Sequence, residues 1–285
     1  MTDPSPTRAA SKTASMVAGY RARATAQPAA ICSDRWAAAL AGPDGMAIAR
    51  AYDEKFPHME LWIAVRARFF DDRVAKLAAP AGTIAQVVVL GAGFDTRAAR
   101  LAREGVRFFE VDQPESRANK LARLAALEGY PIAAATYVAC DFEREDFLER
   151  LVAEGFHADR PALFLWEGVV PYLTEDAVRA TLHRIAHDTD PGSVVVFDHV
   201  RPKIVRGDVK SARDLESRAF VEGLGEPLRF GVEYPLPLLY EEGFRRVRMS
   251  TFDEVCLDLT GTYDRERAFR FQGIALATRE APELV

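Results

Sequence analysis

Residues Gln86–Asp95 read QVVVLGAGFD, a continuous apolar run followed by two glycines that one residue separates. Uninterrupted Val and Leu are typical of a strand that is buried on both faces of a parallel sheet. The glycines predict a tight turn into a helix, expected over Thr96–Glu104, and backbone can approach a ligand closely at such a turn. The stretch therefore predicts the first strand of an α/β sheet that binds a ligand at the carboxyl ends of its strands.

Outward from this stretch, short apolar runs alternate with helical patterns. Helices are predicted after Pro114, over Arg144–Glu154 and after Thr174, which is expected as an N-cap with Ala177 at the N3 position. This alternation indicates a mostly parallel sheet with helices on both faces. The sequence predicts seven strands, and a polar loop joins the last two. After the first strand, the other six are predicted over Val106–Val111, Ala134–Ala139, Ala162–Trp166, Ser193–Phe197, Phe244–Thr251 and Ala268–Ala277.

The remaining segments are interpreted as parts of one domain over residues 16–285, preceded by a mobile tail over 1–15. Residues 16–79 form a helical N-terminal extension, and 201–243 form an insertion on the substrate side. Its first part, 201–218, carries six basic and three acidic residues and predicts a solvated helical excursion. Residues 230–240 (FGVEYPLPLLY) allow two interpretations, an apolar wall of an acceptor pocket or a packed connector.

Composition narrows the classes of function. With 37 Lys and Arg against 42 Asp and Glu, the net charge is −5, which argues against a nucleic-acid partner. Three separated cysteines and five ungrouped histidines predict no disulfide framework and no metal site. The uncharged run 77–94 contains Pro80 and three glycines, so it predicts a helix end, a turn and a strand rather than a membrane span. Residues 4–33 lack acidic side chains, as transit peptides do, but a tail and a helix are favoured, so a cytoplasmic location is expected.

The glycine turn and the end of the second strand indicate a nucleoside site. Asp112 follows Gly93 by 19 residues, where a carboxylate can accept hydrogen bonds from ribose hydroxyls. Thr96 replaces the third glycine of the dinucleotide fingerprint. Both a nicotinamide dinucleotide and S-adenosylmethionine fit this arrangement. The chain has no Tyr-x-x-x-Lys pair, so a short-chain dehydrogenase is disfavoured.

Four ordered motifs, VVVLGAGFDTRAARL, FFEVDQPE, VACDFEREDF and WEGVVPYLTEDAV, together resemble the leucine carboxyl methyltransferase superfamily. The nearer likeness is to its bacterial branch of O-methyltransferases, which includes polyketide carboxyl methyltransferases. VAGYRA and AVRARFFDD extend the resemblance over about residues 16–200, and the last third matches loosely. The resemblance implies a Rossmann-like class I methyltransferase fold with S-adenosylmethionine as its cofactor.

The resemblance also implies roles for individual residues. Arg66 would bind the methionine carboxylate, Gly91 and Gly93 would bring backbone near the methionine, and Glu167 would lie near its ammonium group. Asp112 would bind the ribose, Asp141 the adenine amino group, and Phe142 would pack on the adenine ring. From the residues alone, Asp112 and Asp141 could instead cap helices, and Arg66, near Arg68 and Arg73, could be a surface charge.

For the methyl acceptor, a small molecule is expected, with Arg21 and Tyr172 as candidate contacts. A carboxylate acceptor is ionised at neutral pH and needs no base, whereas a phenol needs one. His199, at the end of the fifth strand, is the candidate base, and a loop histidine with one backbone hydrogen bond is the alternative. The carboxylate of a hydrophobic acid is favoured; a hydroxyl acceptor and a catalytically silent binding protein remain alternatives.

Overall fold

A computed structural model of the chain describes residues 12–78, 84–208, 212–262 and 272–280. Its centre is one seven-stranded sheet in the order β3-β2-β1-β4-β5-β7-β6. Strands β1 to β5 pair in parallel, whereas β7 runs antiparallel to both β5 and β6. The strands are β1 (Gln86–Leu90), β2 (Arg107–Asp112), β3 (Ala135–Ala139), β4 (Ala162–Trp166), β5 (Val194–Val200), β6 (Arg246–Thr251) and β7 (Gln272–Thr278).

Strand order reverses between β1 and β4, because β2 and β3 extend the sheet to one side and β4 and β5 to the other. Open parallel sheets bind ligands in the crevice at such a switch point, beyond the carboxyl ends of the strands. All five residues of β1 and of β4 are buried, which explains why both appear in the sequence as unbroken apolar runs. The predicted α/β, mostly parallel seven-stranded, Rossmann-like fold is confirmed.

Helices cover both faces of the sheet. One apolar cluster contains Trp62, Phe70 and Phe252, and the other contains Phe147 and Leu182. The helices are α1 (Lys12–Thr25), α2 (Ala37–Asp53), α3 (Met59–Leu77), α4 (Arg97–Leu101), α5 (Pro114–Ala125), α6 (Phe147–Ala153), α7 (Glu175–Asp188), α8 (Pro202–Arg206), α9 (Ala212–Gly223), α10 (Leu236–Glu241) and α11 (Phe252–Thr260). None of the helices described is both long and apolar enough to span a membrane.

Two sequence predictions are wrong in detail. The chain is already helical at Lys12, so residues 12–15 do not belong to a tail, and Thr13 and Ser15 are buried. The polar loop predicted between the last two strands contains α11, which begins with a capping box between Thr251 and Glu254. Of the predicted last strand, residues 268–271 lie outside the described residues, as do residues 1–11 of the tail.

The segment 230–240 is a packed connector. Phe230, Leu238 and Leu239 are buried in the same cluster as Phe147 and Leu182. The alternative interpretation, an apolar wall of an acceptor pocket, is wrong, because no residue of 230–240 lines either of the two cavities at the carboxyl ends of the strands.

The N-terminal extension packs by close approach of two helix backbones. A Cβ atom on Gly45 of α2 would lie 2.4 Å from the carbonyl oxygen of Ser15, and one on Gly19 of α1 would lie 2.9 Å from the carbonyl oxygen of Gly45. Both distances are shorter than real Cβ contacts, so the α1–α2 interface requires glycine at these positions.

Replacing Gly45 with Ala should therefore lower the free energy of unfolding by about 1–3 kcal/mol, the usual cost of overpacking. The measurement is urea denaturation. Gly223→Ala is the matched control, because a Cβ there meets no atom within 4 Å. Equal stability of the two variants would contradict the packing described for α1 and α2.

Candidate active site

A cavity of about 240 Å³ opens at the switch point, between the carboxyl ends of β1, β2 and β4 and the N-terminal helix α1. We call it cavity A. Of the site residues predicted from the sequence, it brings together Arg21, Arg66, Gly91, Gly93, Asp112, Phe142, Glu167 and Tyr172.

The glycine turn between β1 and α4 forms one wall of cavity A. Gly91 and Gly93 have φ angles of 67° and 46°, in the left-handed region that favours glycine. The amide of Gly91 donates to the carbonyl of Val111, 2.8 Å away, which ties the turn to β2. A Cβ atom on Gly91 would lie 2.4 Å from a methyl carbon of Val169. The turn therefore requires glycine for both its conformation and its packing.

Asp112 holds the same turn from the end of β2. Its Oδ2 accepts from the amide of Gly93 at 2.5 Å, and its Oδ1 accepts from the amide of Gln113 at 2.7 Å. Gln113, not Asp112, occupies the N-cap position of α5. Burial raises the pKa of Asp112, although the two backbone hydrogen bonds oppose that shift. The carboxylate is therefore part of the ligand cavity rather than a helix cap.

Phe142 lines cavity A, but Asp141 is not among the residues that line it. The Oδ1 atom of Asp141 accepts from the amide of Glu143 at 3.0 Å, in the turn before α6. The N-cap of α6 is Asp146, whose carboxylate accepts from two amides of the first turn. Asp141 therefore caps the turn over residues 142–144 and not a helix, and its adenine contact stays a prediction.

Arg66 forms two buried ion pairs at the floor of cavity A. Its Nε donates to Oε1 of Glu167 at 2.9 Å, and its Nη1 donates to Oδ2 of Asp198 at 3.0 Å. The Arg66 side chain is 8% exposed, so the interpretation as a surface charge is wrong. The other oxygen of Asp198 accepts from the amide of Gly168 at 2.5 Å. These contacts join α3 to the carboxyl ends of β4 and β5.

Arg97 forms further ion pairs on the other side of Glu167 from Arg66. Its Nη2 lies 2.6 Å from Oε2 of Glu167, its Nε lies 2.7 Å from Oδ1 of Asp71, and its Nη1 pairs with Asp95. Glu167 therefore binds one arginine with each oxygen. Burial raises the pKa of Glu167, but Arg97 and Arg66 outweigh burial and hold the pKa below its ordinary value.

The remaining ion pairs connect this group to the N-terminal extension. Arg100 pairs with Asp71 at 2.6 Å, and Arg21 pairs with Asp34 at 2.9 Å. Arg21 also donates to the carbonyl of Phe94 at 2.5 Å, so it fastens α1 to the glycine turn. We call the whole set the ionic network; it comprises Arg21, Asp34, Arg66, Asp71, Asp95, Arg97, Arg100, Glu167 and Asp198.

Sequence reasoning missed Arg97, Asp71 and the pairing of Asp198. Two sequence features could have indicated these residues: Asp198 lies at a strand end, and Arg97 lies shortly after the glycine turn. Nothing in the sequence shows that Asp71, one of several charges on α3, faces inward.

A second cavity, of about 120 Å³, adjoins the first. We call it cavity B. Tyr172, Arg66 and Gly168 line both cavities, so they mark the junction between them. Burial raises the pKa of the Tyr172 hydroxyl. Most of the other residues that line cavity B are apolar, including Met16, Tyr52, Phe56, Met59, Trp62, Val200, Ile204, Val221 and Leu228.

His199 is not in either cavity, and its prediction as a base is wrong on geometric grounds. Successive side chains of a strand point to opposite faces of the sheet. Asp198 of β5 pairs with Arg66 at the cavities, whereas the Nδ1 atom of His199 lies 3.0 Å from the carbonyl oxygen of Val232. Burial lowers the pKa of His199 to about 4, so the ring is neutral. It is a buried histidine with one backbone hydrogen bond.

Comparison with known proteins gives the family. A sequence profile described as "Leucine carboxyl methyltransferase" matches residues 14–186, which include the glycine turn, Asp112, Glu167 and Tyr172. The chain belongs to the leucine carboxyl methyltransferase family. Within the described residues, the structure has no group of three or more His, Cys, Asp or Glu side chains that could hold a metal ion.

Relatives and solved structures agree with this assignment. A "Putative S-adenosyl-L-methionine-dependent methyltransferase" of Mycolicibacterium gilvum is 34% identical over 275 residues, covering 91% of this chain and 85% of that protein. A duf574 family protein from Streptomyces avermitilis superposes with a TM-score of 0.65 at 14% identity, covering 95% of this chain and 98% of the other. A "putative methyltransferase" from Thermobifida fusca gives a TM-score of 0.64 at 16% identity, covering 99% and 100%. These two structures show the same fold.

Arg66→Met should lower the free energy of unfolding by about 3–5 kcal/mol, because the buried Asp198 carboxylate loses its cation. Arg68→Met is the matched control on the same helix. Arg68 is 48% exposed, and its ion pair with the nearby Asp72 is worth less than about 1 kcal/mol; it also donates to the carbonyl of Ile31 at 3.5 Å. Chemical denaturation of both variants measures the difference. A loss for Arg66→Met no larger than for Arg68→Met would contradict the structural role of the ionic network.

Proposed function

We propose that the protein is an S-adenosylmethionine-dependent methyltransferase that methylates a carboxylate oxygen of a small hydrophobic acid. Membership of the leucine carboxyl methyltransferase family and the 34% identical relative support the methyltransferase activity and the cofactor. The observation that carries the proposal for this chain is the junction of two cavities at Tyr172, Arg66 and Gly168, one lined by several charged side chains and one largely apolar.

The charges around cavity A suit S-adenosylmethionine better than a dinucleotide. Two arginines and five carboxylates line the cavity, the latter being Asp95, Asp112, Glu115, Glu167 and Glu226. S-adenosylmethionine carries a sulfonium, an ammonium and a carboxylate, and therefore a net positive charge. The phosphates of a nicotinamide dinucleotide would meet this excess of carboxylates unfavourably. Charge complementarity thus supports the sulfonium cofactor.

Different residues of cavity A would bind different parts of the cofactor. Asp112, already fixed by two amides, has lone pairs for the ribose hydroxyls. Phe142 would pack on the adenine ring, and Asp141 would accept a hydrogen bond from the adenine amino group. Glu167 would face the methionine ammonium, and the guanidinium of Arg66, which uses Nε and Nη1 for carboxylates, has Nη2 beside Gly168 for the methionine carboxylate.

Cavity B is the candidate acceptor site, because it meets cavity A where the methyl group would be transferred. When bound, S-adenosylmethionine would supply an electrophilic methyl group, to which an acceptor oxygen bonds in line as the carbon–sulfur bond breaks and S-adenosylhomocysteine leaves. The protein's task is then to align the two reactants and exclude water. Trp62 and Tyr172 would hold an apolar acceptor against the junction.

The absence of a suitable base in cavity B favours a carboxylate over a hydroxyl acceptor. Among the described residues, the carboxylate that lines cavity B is Asp198, and both of its oxygens already accept hydrogen bonds. Because the pKa of Tyr172 is raised, its phenol is less readily deprotonated near neutral pH and is a poorer base there. An ionised carboxylate needs no proton removed, so this cavity suits it without further groups.

The methylated product should be a base-labile ester, identified by mass spectrometry before and after mild alkali in reactions with a carboxylic-acid library. The rate should stay nearly flat from about pH 6 to 9, since an acceptor carboxyl with a pKa near 4 is ionised throughout. His199→Asn should reduce the rate by less than the roughly 10²–10⁴-fold typical of removing a base. A base-stable methyl ether, or a rate that rises with a pKa near 7 and is lost in His199→Asn, would contradict carboxyl methylation. Cofactor binding without turnover on any acid would indicate a silent binding protein.

A further inference from the structure

Cavity B is apolar except at a few points, and some of its polar residues are not shared with cavity A. Arg218 of α9 and Gln272 of β7 line cavity B but not cavity A. The same segment that carries Arg218 continues through Val221, which lines cavity B, to Leu224, which lines cavity A. At about 1.5 Å per helical residue, Arg218 lies about 7.5 Å along the helix axis from Gly223, the last residue of α9, which Leu224 follows.

The two arginines of cavity B differ in how far their charge is neutralised. Arg66 at the junction pairs with two buried carboxylates. Arg218 pairs through Nε with Glu222 at 2.8 Å, a contact within one helix whose carboxylate is 35% exposed. Such exposed pairs are weak, and the Nη1 atom of Arg218 lies against Gly207 at the end of α8. Arg218 therefore has capacity for a further anion, whereas the remaining Nη2 of Arg66 is assigned to the cofactor.

Two further observations favour an anion at this end. Gln272 also lines this cavity, and the NH₂ group of its side-chain amide can donate hydrogen bonds to an anion. Residues 201–208 beside Arg218 carry Arg201, Lys203 and Arg206 against Asp208. A local excess of positive charge raises the rate at which anions reach a cleft.

We propose that cavity B binds an elongated acid with an anionic group at each end and an apolar middle. One carboxylate lies at the junction beside Tyr172, and the second is bound by Arg218, whose planar fork suits a carboxylate. Trp62, Phe56 and Val221 contact the apolar middle. This inference rests on the proposed function for its first carboxylate, and it adds the second anion as the feature that selects the acceptor.

The test uses two matched pairs of acids, adipate with hexanoate and terephthalate with para-toluate. In each pair a methyl group replaces the second carboxylate without a large change in shape. Binding to the full chain loaded with S-adenosylhomocysteine is followed by tryptophan fluorescence, since Trp62 lines cavity B, and ester formation is measured separately. In at least one pair the diacid should bind about tenfold more tightly than its monoacid, in line with a charged hydrogen bond.

Arg218→Met should remove this preference, and Arg218→Lys should restore part of it. Arg68→Met is the control, because Arg68 is 48% exposed and is not among the residues that line cavity A or cavity B. Equal binding of diacid and monoacid by the unaltered protein, or a preference that survives Arg218→Met, would overturn the inference. Binding of the diacid through Arg218 without any ester formation would support the inference and contradict carboxyl methylation, so the two proposals fail separately.

Discussion

The double ion pair of Arg66 with Glu167 and Asp198 is the interaction on which the site depends. It joins α3, which precedes the sheet, to the ends of two neighbouring strands that lie far along the chain. Buried charges are costly unless they are paired and hydrogen-bonded, and here Glu167 and Asp198 each use both oxygens. The network therefore fixes the geometry of the strand ends before any ligand binds.

The N-terminal extension completes the cavities rather than merely preceding the domain. Helix α1 contributes Thr13 and Val17 to both cavities, and Arg21 connects it to Asp34 and to the glycine turn. Its position depends on the close contact between Gly19 and Gly45. A change at the α1–α2 interface would therefore alter the ligand site as well as stability.

The sequence predicted the fold because its signals are local. Val87–Leu90 and Ala162–Trp166 are unbroken apolar runs, and the turn after β1 requires glycine, so strand identity and the position of the ligand edge follow directly. Helix α11 was missed because FDEVCLDLT is short and mixes apolar with acidic residues. The prediction of His199 as a base failed because two adjacent residues at a strand end face opposite sides, and the sequence does not say which side holds the cavity. The partners of Arg97 lie on three separate segments, which only the fold brings together.

We propose that Arg66 serves the ionic network and the cofactor at once. A crystal structure of the protein with S-adenosylhomocysteine tests this most directly. The methionine carboxylate of the ligand should lie within hydrogen-bond distance of Nη2 of Arg66, while Nε and Nη1 remain on Glu167 and Asp198, and the ribose hydroxyls should contact Asp112. A ligand whose carboxylate binds elsewhere, or an Arg66 that leaves Glu167 and Asp198 to reach it, would contradict the account.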